Sequence, residues 1–165
     1  MEKGVIENSK IQGFFHLTIR NKDEKIVGDS GWVKNNIPNE GFQHYIVQLM
    51  GSSAGSLQVS HAALGEGTAP GNTDTALESE ITGSNGSGRK SVTFSETGSK
   101  TAQWVCTFAS DESFVTATET IKNVGLFDVS TEGGGSIFAG NTYATSTVAT
   151  NQSVNLTYQV RFATS

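Results

Sequence analysis

Cysteine, charged side chains and catalytic signatures are all scarce in this chain, and each scarcity closes off a class of protein. The single Cys106 permits neither a disulfide framework within the chain nor a multi-cysteine metal site. It lies in the β-like run Gln103-Trp104-Val105-Cys106-Thr107-Phe108, which has no basic member, so a buried and inert thiol is expected. Only 16% of the residues are charged, and 16 acids against 11 bases leave a net charge of −5. A mildly acidic chain repels phosphate backbones, which argues against nucleic acid as a principal partner. No run approaches the roughly 20 apolar residues of a membrane span, so no membrane partner is expected. Met1-Glu2-Lys3-Gly4 leads into polar residues rather than an apolar signal core, and synthesis in a cytoplasm is the expectation.

Motifs for chemistry are equally thin. There is no Gly-x-Ser-x-Gly elbow and no local Ser–His–Asp signature. The stretch Gly83-Ser84-Asn85-Gly86-Ser87-Gly88-Arg89-Lys90-Ser91 resembles a phosphate-binding loop only briefly. Arg89 stands where the lysine should follow the last glycine, and the residues after it alternate like a strand instead of opening a helix. His16, His44 and His61 are far apart and read as lone imidazoles rather than a metal site. Glu66, Asp74, Glu78 and Glu80 surround a glycine-rich loop without EF-hand spacing, and read as a solvated acidic edge or a helix cap. The expectation is a protein with no catalytic residue, no cofactor and no metal, one that functions as a surface and not as an enzyme.

What the chain does contain is serine, threonine, asparagine and 19 glycines around short patterned apolar runs, the composition of an all-β domain. Phe15, Leu17 and Ile19 alternate with Phe14, His16, Thr18 and Arg20, so residues 13–20 predict a strand. Residues 25–34 predict its hairpin partner, broken near Gly28 or Gly31. Asn39 behind Pro38 then caps a short amphipathic helix over 39–50, with Phe42, Tyr45, Ile46 and Leu49 on one face. Residues 56–64 predict a strand, and 74–81 one or two helical turns capped by Asp74. Further strands are expected at 90–95, 101–108, 116–129, 136–143 and 153–162. Seven to nine strands with turns every roughly 8–12 residues suit a sandwich or a barrel. One domain over 13–165 is expected, preceded by a flexible arm over 1–12.

Three segments taken in order carry a resemblance. They are Ala63-Leu64-Gly65-Glu66-Gly67-Thr68-Ala69-Pro70 with Asp74-Thr75-Ala76-Leu77-Glu78-Ser79-Glu80-Ile81, then Ile121-Lys122-Asn123-Val124-Gly125-Leu126-Phe127-Asp128, then Ile137-Phe138-Ala139 with Val154-Asn155-Leu156-Thr157-Tyr158-Gln159-Val160. Together they resemble a group of small virion structural proteins of tailed bacteriophages, variously tail-fibre or capsid-associated, over residues 57–163. The chain departs from that pattern at Asn123, where an acid is common, and at Gly140, where arginine often follows Phe-Ala. The resemblance implies an antiparallel β-sandwich of jelly-roll type. It also implies a location in the virion, most concretely as a capsid decoration (cement) protein that binds the major capsid protein as a homotrimer. A tail-fibre or baseplate-associated module that binds the host is the alternative.

The partner-binding candidates are few. Phe14 and Trp32 are read either as core or as an exposed aromatic patch facing a neighbouring subunit, whereas Phe42 and Tyr45 are expected to pack inside. Glu66, Asn72 and Asp74 on the glycine-rich loop are the polar candidates.

Overall fold

The computed structural model describes residues 9–47, 57–82, 88–98, 101–109 and 118–164. Alternation decides the architecture. In β1 (Ser9–Arg20), Phe15, Leu17 and Ile19 are buried, and in β9 (Ser153–Thr164) so are Val154, Leu156, Tyr158 and Val160. Each strand therefore has one apolar face, and two sheets must stack to bury such faces. Between them in sequence lie β2 (Ile26–Asn35), a short helix (Gly41–Val47), β3 (His61–Gly65), β4 (Lys90–Ser91), β5 (Thr93–Gly98), β6 (Thr101–Phe108), β7 (Glu119–Phe127) and β8 (Ile137–Val148). Sheet A has the order β2-β1-β9-β6-β5 and sheet B the order β4-β3-β7-β8, with every pairing antiparallel. The expected all-β sandwich is the fold. Like a jelly roll it sets its first and last strands side by side; unlike one, β1–β2, β3–β4, β5–β6 and β7–β8 each stay within one sheet.

The centre of the core is an aromatic row that crosses sheet A. Register places Val33, Phe15, Tyr158, Trp104 and Phe94 opposite one another across its strands. Phe138 of sheet B lies beneath this row, its ring 5.8 Å from Trp104 and 6.2 Å from Tyr158. Phe15 and Tyr158 are fully buried in this row, each burial stabilising the fold by about 1.5–3 kcal/mol, whereas Phe94 at the β5 edge stays half-exposed.

Several elements differ from their sequence expectation. Of the expected arm, residues 9–12 are strand, paired with the end of β9, because Ile11 packs against the core. The helix is a π-helical turn over Gly41–Val47 rather than an α-helix over 39–50, and residues 48–50 lie outside the described residues. A π turn winds more loosely, so Phe42 leaves the apolar face and is 38% exposed, while Tyr45 is buried against Phe138. Residues 90–95 do not form one strand. The chain bends at Val92, so that β4 pairs with β3 in sheet B and β5 with β6 in sheet A.

No helix forms over 74–81. The carboxylates that suggested a helix cap instead hold a loop: Gly71 N donates to Asp74 Oδ2 at 2.8 Å, and Thr68 N to Glu78 Oε2 at 2.8 Å. Ser79 has φ of +51°, which no helix tolerates. This loop lies on the outer face of sheet B, where Leu77 buries itself against Ala63, Phe127 and Ile137. Arg89 locks it in place. Its guanidinium grips Glu80 at 2.7 and 3.0 Å, stacks 3.6 Å above the Phe127 ring, and donates to the carbonyls of Val129 and Gly134. Among the described residues, sheet B is thus covered on both faces and sheet A on one.

Candidate functional site

The uncovered face of sheet A is where this chain presents chemistry to solvent. Its rows follow from strand register. One row reads Lys34, Phe14, Gln159, Gln103 and Ser95, and the next Trp32, His16, Thr157, Val105 and Thr93. A third joins Asp29, Thr18, Asn155 and Thr107, and Arg161 stands opposite Gln12 and Thr101. The face is flat and polar, with one aromatic cluster near its β2 edge.

A bulge in β2 builds that cluster. His16 pairs with Trp32 but Thr18 with Asp29, so Ser30 and Gly31 together face the single Leu17, one extra residue on β2. Gly31 has φ of +63°, a conformation glycine adopts without strain. The Ser30 hydroxyl replaces the missing ladder acceptor by taking the Leu17 N–H at 2.9 Å. Asp29 Oδ1 accepts from Gly31 N at 2.7 Å and contacts His16 Nε2 at 2.6 Å. The Gly31 bond first, and the His16 bond second, hold the Asp29 carboxyl below the usual carboxylate range. His16, fixed in this way, leans on the Trp32 indole with centroids 5.4 Å apart.

Arg161 completes the cluster from β9. Its guanidinium carbon lies 4.9 Å from the centroid of Phe14 and 5.6 Å from that of Trp32, within cation–π range. Nε and Nη2 both donate to Gln159 Oε1, at 3.1 and 2.6 Å, and Gln159 Nε2 donates to Gln103 Oε1 at 2.7 Å. Trp32 remains 48% exposed. Further across the sheet, over β9, β6 and β5, a shallow groove of about 460 Å³ is lined by Thr93, Val105, Cys106, Thr107, Asn155 and Thr157.

Of the residues singled out in the sequence, Phe14 and Trp32 are brought together here. The loop candidates lie elsewhere and serve structure. Glu66 Oε1 accepts the Thr120 N–H at 3.0 Å, and Asn72 Oδ1 accepts from Asn36 Nδ2 at 3.1 Å. Asp74 closes its own turn on Gly71. His16, His44 and His61 stay apart: His44 faces Glu40 at 3.4 Å, and His61 Nδ1 contacts the Ser60 hydroxyl at 2.7 Å. Among the described residues no three of His, Cys, Asp and Glu converge as metal ligands. The glycine-rich loop at 83–87 lies outside the described residues.

The two departures from the phage pattern have local causes. Asn123 is fully buried, and its amide donates to the carbonyls of Thr68 and Glu78 at 2.9 and 3.0 Å. An ionised acid there would face those two acceptors with no proton to give. At Gly140 a Cβ would stand 2.7 Å from Pro70 Cγ and 2.8 Å from the Val124 carbonyl, so a side chain such as arginine has no room.

Arg161, Gln159 and His16 are the site residues that the sequence reading did not select. Alternation alone puts Arg161 and Gln159 on the outward set of β9, but only the β1–β9 pairing, formed between opposite ends of the chain, brings them to Phe14. What results, among the described residues, is an antiparallel sandwich with one outer sheet face closed by its own loops and the other left open around an aromatic–arginine cluster. No family model, curated protein or solved structure matches the chain.

Proposed function

We propose that this chain is a structural protein of a tailed-phage virion, a capsid decoration subunit that docks on the major capsid protein through the outer face of sheet A. One observation carries this reading: Trp32, held half-exposed by His16 and Arg161, sits on the sheet face that none of the described loops covers. Tryptophan and arginine dominate interface hot spots. The motif resemblance supplies the virion context.

Size is consistent with this. Four inter-strand gaps give a face about 20 Å wide, and the shared strand length gives about 27 Å, or roughly 550 Å² in plan. A standard interface takes about 800 Å² per partner, so one face supplies a modest contact. A homotrimer attached at several equivalent points would gain roughly 10²–10⁴ in avidity. No step of this function involves bond chemistry.

Co-sedimentation with empty heads of the encoding phage tests the proposal. The protein should pellet near stoichiometrically with the lattice, and Trp32→Ala should weaken binding at least about tenfold while melting like the parent. A protein that stays in the supernatant ends the decoration reading. The second reading, a tail-fibre or baseplate-associated module that binds the host, is favoured by the hydroxyl and amide groove over β9, β6 and β5, a surface suited to sugar hydroxyls. Copy number separates the two: hundreds per particle mean the shell, a handful the tail.

A further inference from the structure

We propose that Arg161 is a receptor for a carboxylate, and that the partner of this face is therefore an acidic protein segment whose Asp or Glu side chain lands on the guanidinium between Phe14 and Trp32. The inference rests on the docking reading above and names the chemistry of its partner.

The two best-placed arginines of the molecule make the contrast. Arg89 is satisfied: it is buried and bidentate to Glu80, with backbone carbonyls on its remaining nitrogen. Arg161 is exposed and oriented only by neutral groups. A single amide oxygen of Gln159 takes both its Nε and Nη2, Gln103 orients that amide, and two aromatic rings lie alongside. Among the described residues no carboxylate pairs with Arg161. A guanidinium that is already oriented loses little entropy on binding a carboxylate, and its planar fork matches one in two parallel bonds.

Charge distribution points the same way. The chain carries −5 overall. Yet the outward residues of sheet A include Arg20, Lys34 and Arg161 against Asp29 alone, a surplus of two positive charges with His16 neutral. The loops around sheet B instead carry Glu66, Asp74, Glu78 and Glu80, each engaged in holding the loop or its strand. An acidic surface therefore meets a net positive charge on this face and a run of carboxylates around sheet B, a difference that favours docking here.

Nucleic acid fits less well. A phosphate backbone needs a track of cations, and the rows between Arg161 and the β5 edge hold Gln103, Gln159, Asn155, Thr107 and Thr157 instead. A protein segment that offers one or two carboxylates and backbone groups to those amides suits the surface better.

The test is sedimentation with empty heads at about 50 mM and about 500 mM NaCl, using the parent, Arg161→Lys, Arg161→Glu, and Glu132→Lys as a charge change outside this face. The parent should pellet at low salt and release at high salt. Arg161→Glu should bind roughly ten- to a hundredfold more weakly, Arg161→Lys should fall between, and Glu132→Lys should bind like the parent. Thermal melts check that each variant is folded. If the parent pellets and Arg161→Glu pellets equally well, the carboxylate inference is wrong and the docking reading stands. A parent that never pellets removes both. Quenching of tryptophan fluorescence by a single-stranded oligonucleotide, lost in Arg161→Glu, would overturn the inference in favour of nucleic acid.

Discussion

Replacing Arg89 by alanine should be the most damaging single change outside the apolar core. The Arg89 side chain is fully buried and Glu80 is 5% exposed. Truncation leaves the Glu80 carboxylate without its counter-ion in a low-dielectric site, and removes the cation from the face of Phe127. Breaking one side of a buried pair costs about 3–5 kcal/mol. For a domain of this size each kcal/mol lowers Tm by about 2–4 °C, so a fall of roughly 6–20 °C is expected. The double variant Arg89→Met/Glu80→Leu removes the stranded charge and should recover part of the loss. It should not recover all, because the carbonyls of Val129 and Gly134 lose their donor. Differential scanning calorimetry measures both variants. A second reading comes from His61, whose imidazole is held below its usual pKa first by burial and then by the Arg89 charge. Its titration by NMR should move upward in Arg89→Ala. An alanine variant that melts within about 2 °C of the parent would refute the claim that this pair fixes the loops over sheet B.

Three further outcomes follow from the same structure. Gly41→Ala should lower stability by about 1–3 kcal/mol or more in chemical denaturation, since its Cβ would stand 1.9 Å from the Phe138 carbonyl; an unchanged midpoint would show that the helix does not press on β8. Burial first and the Glu66 carboxylate second raise the Glu119 pKa, so its protonated form favours the folded state at low pH and that advantage is withdrawn as pH climbs through the folded value. Glu119→Gln should accordingly raise Tm near pH 7 and leave it unaltered near pH 3, and an equal shift at both would contradict the pairing. Desolvation by its surroundings pushes the thiol of the half-buried Cys106 up to about 12, so a thiol reagent near pH 8 should label the native protein far more slowly than the denatured chain; equal labelling rates would count against it.

The legible parts of the fold were those written in local alternation. Phe15, Leu17 and Ile19 announced β1 and its inward face, and the last third announced β7, β8 and β9. Trp32 and Phe14 were legible as candidates, though not the side of the sheet they would occupy. Three things were hidden because their causes are not local. Residues 90–95 alternate without interruption, yet the chain changes sheets at Val92, since Ser91 pairs with His61 while Thr93 pairs with Val105. Acids at 74, 78 and 80 mimic a helix start, and only contact with Gly71, Thr68 and Arg89 shows them to be loop staples. Arg161 joins Phe14 because β9 inserts between β1 and β6, a pairing that spans nearly the whole chain.

The central claim is that the open face of sheet A meets a larger assembly. Hydroxyl-radical footprinting of the protein, free and on the intact particle, addresses it directly. Trp32 should lose most of its labelling on assembly, while Phe94, 54% exposed at the β5 edge and on the opposite face of sheet A, should keep its own. Equal labelling of Trp32 in both states, or a particle that lacks the chain, would contradict the account.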